Sequence, residues 1–284
     1  MSTTERFWLC YCFLVSLVAL GADGGGAENH LPVRFVCLHL VVASLQVVPL
    51  VVQRRYGDTF ARVARTALAL IGLPVVFSAL CWILPDAHPE PYHLAWYRLD
   101  LQWFGGDVTA TLRRHTPDLV CLVLQLLYAS FYLLPIAASL LCLRERGPAA
   151  FDRALAIVVG GFLSSYLGYL WFPTLGPKDV LPIVLPPTYE LAHAVRQFLD
   201  EAEANPWDCF PSGHTMMSLV SVVLVHRSGS RYLLPFAVVA ALIVLSTMVL
   251  RYHWPIDVVA GMVAVPLWMR ACDRLLDRDG TASA

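Results

Sequence analysis

Pro211-Ser212-Gly213-His214 and His253-Trp254-Pro255-Ile256-Asp257 are the two stretches around which the rest of the chain is arranged. Each opens a long apolar run, and one complete apolar run, roughly 232–250, lies between them. If these runs are membrane helices, the chain descends from the first motif and returns at the second. Both histidines then lie on the same face of the bilayer. Composition supports the membrane reading. Of 284 residues, 58% are hydrophobic and 14% charged, with a mean hydropathy of +0.62. A soluble domain carries about 25% charged residues. The expected fold class is all-α integral membrane.

Working outward from the motifs, apolar runs cover roughly 7–20, 33–52, 66–85, 118–143, 154–172, 211–226, 232–250 and 254–272. Most approach the about 20 residues that cross the hydrocarbon layer. The run at 211–226 is short and is expected to begin below the membrane surface. Residues 7–20 also suit a signal peptide cleaved near Ala19-x-Gly21, although seven further runs favour a retained helix. Eight spans put both termini on one side, and basic residues decide which. With a cytoplasmic N-terminus, most of the 20 Lys and Arg residues fall in inner segments, among them Arg54, Arg55, Arg144, Arg146, Arg227 and Arg231. Positive charge favours the cytoplasm. The expectation is a multi-pass protein, of the plasma membrane, with both histidine motifs facing out. Residues 1–65 would hold two extra helices, 66–272 a six-helix catalytic unit and 273–284 a short cytoplasmic tail.

Two outer segments are long. In 86–117, Trp96, Leu99 and Trp103 recur at i, i+3 and i+7, which fits an amphipathic helix in the interface and equally an ordinary loop capping the bundle. The segment 173–210 has a Pro-rich half (Pro173, Pro177, Pro182, Pro186, Pro187) and an acidic, helix-prone half from Tyr189 to Ala204, and it would roof the site. Cysteine usage predicts no disulfide framework. Cys209 reads as an unpaired loop thiol, because no spacing motif surrounds it.

The chemistry starts at Ser212. Serine is a good N-cap, and free N–H groups at a helix start bind phosphate oxygens; Gly213 lets an anion come close to the backbone. Asp257 follows His253 by four residues, so the two side chains share a helical face. A carboxylate bonded to one imidazole nitrogen leaves the other lone pair free to attack; alternatively, Asp257 satisfies backbone N–H groups at the helix start. Lys178, the only lysine, stands at the outer end of a span and Arg251 two residues before His253. Both could meet phosphate oxygens, and an interfacial anchor is the plainer role for Lys178. His214, His253 and Asp257 could instead form a 2-His-1-carboxylate metal set. No close-spaced histidine pair is present, and a phosphate-binding helix start with Lys178 and Arg251 would repel a cation, so no metal is expected; nor does phosphate chemistry at these residues require an organic cofactor.

Taken together, these residues resemble the type 2 phosphatidic acid phosphatase superfamily. The second motif of that family, PSGH, is matched by Pro211 to His214, and the His and Asp of its third, HxxxD, by His253 and Asp257. Lys178 stands for the first motif without its Arg-Pro, and the usual Ser-Arg before the histidine reads Ser246-Thr247. The stretches Phe172 to Lys178 (FPTLGPK) and Asp100 to Asp107 (DLQWFGGD) look like the inositol phosphorylceramide synthase branch, although that branch tends to have PSLH.

The resemblance implies that His253 attacks a lipid phosphate or phosphodiester, with Asp257 steadying the imidazolium. His214 would give its proton to the leaving oxygen. Lys178, Ser212, Gly213 and Arg251 would neutralise the phosphate, and water or an alcohol acceptor would release the phosphohistidine. Membrane lipids are the implied partners, and nucleic acid is not one. The two absent arginines motivate a second expectation, a catalytically silent lipid-binding or lipid-translocating protein on the same scaffold.

Overall fold

The apolar runs become helices in the computed structural model, which describes residues 1–21, 31–87, 92–181, 190–202 and 205–281; within them there is no named strand. The main helices are α1 (Thr3–Gly21), α2 (Leu31–Leu45), α3 (Val47–Tyr56), α4 (Asp58–Ala79), α5 (His93–Phe104), α6 (Val108–His115) and α7 (Asp118–Ala129). They continue with α8 (Leu133–Arg146), α9 (Pro148–Trp171), α10 (Glu190–Ala202), α11 (Gly213–Ser228), α12 (Leu233–Val249) and α13 (Pro255–Thr281). Short helical turns at Leu80–Trp82, Leu84–Ala87 and Pro177–Val180 complete the helical elements. The protein is thus an all-α membrane protein.

Among the described residues, five helical segments are long and apolar enough to cross a bilayer: Thr3–Gly21, Leu31–Tyr56, Asp58–Trp82, Pro148–Trp171 and Pro255–Asp277. The run at 118–143 is not one straight span. It breaks between α7 and α8 with a bend of 54°. Pro135 explains the break: in a continuous helix its ring would collide with the carbonyl of Phe131, and it has no N–H to donate. Pro49 interrupts the 31–56 segment at Gln46 in the same way. The third span begins at Asp58, eight residues before the apolar run, because polar residues on α4 find partners inside the protein. At 16 and 17 residues, α11 and α12 reach about 24–26 Å, short of the roughly 30 Å hydrocarbon layer.

Position in the bundle follows packing rather than apolarity: α12 is more apolar than α11 yet exposes Leu234, Val238 and Leu245. α11 packs against α8, α9, α12 and α13 and is therefore central, while α9 also receives α1 and α4. α1 buries Trp8, Tyr11, Cys12 and Val15 in the main core. At the end of α9 away from the motifs, ion pairs belt the helices together. Arg65 Nε lies 2.8 Å from Glu5 Oε1, and Arg62 lies 3.1 Å from Asp152. Arg153 meets Asp273 and Asp277, both at 2.9 Å. Arg227 holds Asp273 with two bonds of 2.7 and 2.9 Å, joining α11 to α13. No disulfide links the eight cysteines.

The segment after the third span does form a helix, α5, but not with the whole Trp96–Leu99–Trp103 stripe docked. Trp96 and Leu99 pack on Cys209, Trp254 and Ile256, Asp100 is buried between them, and Trp103 is exposed. α5 therefore sits on the loops that carry the motifs. Of the roof, α10 matches the helix-prone half and packs on α7; Pro182, Pro186 and Pro187 lie outside the described residues.

Candidate active site

Ser212 caps α11, its Oγ accepting from Thr215 N at 3.2 Å. Pro255 opens α13, and Asp257 Oδ2 reaches back to accept from Trp254 N at 2.8 Å, as an acid in a capping box does. One backbone bond joins the two starts, Ser212 N donating to Asp257 O at 3.0 Å. Glycine is required for this closeness. A Cβ on Gly261 would stand 2.7 Å from Ser212 O; Gly213, on its other side, leaves room for the Tyr169 hydroxyl of α9.

The two histidines meet. His253 Nε2 lies 3.4 Å from His214 Nδ1, and the rings are 5.5 Å apart and edge-on. His253 is buried, whereas His214 keeps partial exposure. The other nitrogen of His253, Nδ1, lies 3.0 Å from the Cys209 carbonyl oxygen and 3.7 Å from Asp257 Oδ2. A carbonyl only accepts, so Nδ1 carries the proton and the Nε2 lone pair points at His214. The orienting acceptor is thus a backbone carbonyl, not the carboxylate expected from the four-residue spacing. The reason is local: the Trp254 N–H, orphaned at the start of α13, draws Asp257 Oδ2 to itself. Asp257 remains a buried acid beside the imidazole, and its Oδ1 has no hydrogen-bond partner among the described residues.

His214 is held by rings. Tyr128 on α7 stacks on it at 4.5 Å and 19°, and Phe131, in the α7–α8 bend, touches it at 4.3 Å. Tyr252 stacks on Tyr128 in turn, at 4.4 Å and 13°.

The two cations lie on a neighbouring loop and have internal partners. Lys178 Nζ is 2.8 Å from Asp200 Oδ1 on α10 and sits 4.2 Å above the Tyr252 ring. The Tyr252 hydroxyl donates to the same Asp200 oxygen at 3.0 Å. Arg251 is 3% exposed, and its Nη2 donates to Leu181 O at 2.7 Å and Pro177 O at 3.2 Å. Its Nη1 lies 3.5 Å from Asp107 Oδ2. Burial lowers the Arg251 pKa, and Asp107 opposes that shift. The backbone of Arg251 is in the left-handed region, φ 66°, at a cost of about 1–2 kcal/mol. Its contacts offset that cost by clamping the Pro177–Leu181 turn, and Lys178 N donates back to Arg251 O at 2.9 Å. A bridge between Thr174 and Asp208 fastens the same loop to the segment before Pro211.

Three groups were not legible as site residues. The Cys209 carbonyl is backbone, so no side-chain motif could have announced it. Tyr128 sits in an apolar run, with nothing to separate it from core aromatics. Asp100 belongs to the DLQWFGGD stretch. It is 3% exposed, and its Oδ1 accepts from Ile256 N at 3.0 Å. Burial first, and then nearby Asp257, push its pKa up to about 7, while the Ile256 bond works the other way. Among the described residues, one donor set could hold a cation: Cys209 Sγ, a His253 nitrogen and an Asp257 oxygen lie within 4.8 Å of one another. In this structure Sγ faces Tyr252 O at 3.1 Å, Nδ1 faces Cys209 O and Oδ2 faces Trp254 N.

Fold and site define a class, a multi-pass all-α membrane protein with two motif histidines meeting where two helices begin. The PAP2 superfamily model matches residues 94–270, well over half of the chain, and the protein belongs to that superfamily. Its members are in general phosphatases or phosphotransferases. The match takes in every site residue described above. No curated protein and no solved structure matches the chain.

Proposed function

We propose that the protein is a lipid-phosphate phosphatase or phosphotransferase that works through a phosphohistidine on His253, with its site on the extracytoplasmic face. The observation that carries this reading is the His253 tautomer. Nδ1–H is held by Cys209 O, which leaves the Nε2 lone pair beside His214. Nε2 attacks phosphorus and forms the N–P bond. The ester P–O bond breaks as His214, protonated, gives its proton to the departing oxygen. His214 then takes a proton from water, or from an alcohol acceptor, whose oxygen attacks the phosphohistidine and frees Nε2. Asp257 opposes the positive charge that develops on His253. Ser212 and Gly213 offer a helix start to the phosphoryl oxygens.

In this reading Lys178 exchanges Asp200 for phosphate, and Arg251 acts through the turn that carries Lys178. Placement in the inositol phosphorylceramide synthase-like branch is part of the proposal. It is supported by the seating of both branch-like stretches against the site, Asp100 on Ile256 N and Leu175 O on Trp254 Nε1. The internal partners of Lys178 and Arg251 favour the second reading, a silent lipid-binding scaffold. Incubating purified protein with a panel of lipid phosphates, with and without alcohols, separates the two by mass spectrometry. Product from wild type and none from His253→Ala supports catalysis; no product from wild type overturns it.

A further inference from the structure

The ring stack on His214 does more than fill space. Tyr128 lies between His214 and Tyr252, because two rings within 4.5 Å and nearly parallel to it cannot share one of its faces. Lys178 and Asp200 close the far end of the stack. An imidazole used as an acid must be charged before it reacts, and a buried cation loses hydration. Beside it stands another imidazole, His253, which repels a second positive charge. The face of an aromatic ring within about 6 Å attracts a cation, and Tyr128 presents that face to His214.

Resting on the phosphohistidine reading above, we propose that Tyr128 is a positioning residue that holds His214 against the attacking nitrogen and in its charged form. The titratable groups around His214 are few. They are His253 ahead of α13, Tyr128 on α7 and, beside Gly213, Tyr169 on α9. Asp257 lies behind His253. Tyr128 is the one among them whose ring face stacks on the imidazole. The ring alone supplies this effect, so Tyr128→Phe retains it and Tyr128→Leu loses it.

The test uses full-length protein in detergent and two phosphate monoesters, p-nitrophenyl phosphate and a short alkyl phosphate. Nitrophenolate leaves without a proton, whereas an alkoxide needs one from His214. Tyr128→Leu should lower kcat for the alkyl ester roughly 10- to 100-fold, within the span of general acid catalysis. It should change kcat for the nitrophenyl ester about threefold or less, with KM retained. Activity on the alkyl ester requires protonated His214 and falls as pH rises through its pKa, so in Tyr128→Leu that fall moves to lower pH. Tyr128→Phe should match wild type in both respects. Should Tyr128→Leu fail to fold, Tyr128→Met, which fills the same space without a ring face, should give the same leaving-group contrast. Equal losses on both esters, or a loss in Tyr128→Phe, would overturn the proposal while leaving the reaction standing. Turnover of neither ester by wild type would overturn the reading beneath it.

Discussion

The bundle buries carboxylates at both ends, and the two ends meet them differently. Both carboxylate oxygens of Glu5, which is fully buried, are matched: Oε1 takes Arg65 Nε, Oε2 takes Ser2 N, and Arg65 Nη2 continues to Gln53 Oε1 at 3.2 Å, although Ser2 Oγ beside them has no partner among the described residues. Around His253, equally buried, Asp257 Oδ1, Asp100 Oδ2, Thr215 Oγ1 and Ser218 Oγ have no hydrogen-bond partner among the described residues. Leaving a buried polar atom unmet costs about 1–3 kcal/mol. The buried carboxylate at one end has both oxygens met, whereas Asp257 and Asp100 at the other each keep one oxygen without a partner among the described residues. Burial of charge alone would not have told the ends apart; the state of the hydrogen bonds does.

Substitution can break this contrast. His253→Ala should reduce turnover by about 10⁴-fold or more and His214→Ala by roughly 10²–10⁴, both with thermal midpoints in detergent near that of wild type. Near-normal turnover in either variant would remove the proposed chemistry. Arg65→Ala should do the reverse. It leaves Glu5 buried without its cation, costing about 3–5 kcal/mol of stability, while activity per folded molecule holds. A drop in specific activity without a drop in midpoint would make the two ends alike. Arg251→Lys keeps the charge but loses the forked grip on Pro177 O and Leu181 O. It should cost about 1–3 kcal/mol, read as a weaker response to vanadate once the Lys178 turn loosens. Equal vanadate inhibition in both proteins would reduce Arg251 to an anchor.

The last test of that contrast is pH. Asp100 has a folded pKa near 7 against about 3.9 unfolded, so the folded state binds the extra proton. Stability should fall as pH rises from about 4 to about 7 and then level off. Asp100→Asn should flatten that slope in a series of melting curves, and an unchanged slope would assign it to another group.

Five of the eight expected spans were legible because hydropathy reports burial in lipid directly. The starts of α11 and α13 were legible because Ser212 and Pro255 are local signals. What escaped was the contact between distant segments. Asp107 meets Arg251 across 144 positions, and Asp200 claims Lys178 from a helix whose place over α7 no spacing predicts. The break at Ser130–Tyr132 lay within a single apolar run, and only the ring of Pro135, four residues beyond Phe131, forces it. Asp257 shows the subtler difficulty. The four-residue spacing does place it beside His253, but a backbone N–H nearer at hand competes for the same oxygen.

Ser212 and Asp257 are tied backbone to backbone, so α11 and α13 begin side by side and point away from the same spot. Each carries an electric dipole with roughly half an elementary charge, positive, at its beginning. Together they add a positive potential near the histidines that no proton makes, offset in part at α13 by the Asp257 carboxylate that caps its start. An oxyanion in that field would be attracted under acid and alkaline conditions alike, while proton transfer by the imidazoles switches on and off. Affinity for a phosphate analogue and rate of turnover should therefore part company as pH is varied, with binding the flatter of the two curves.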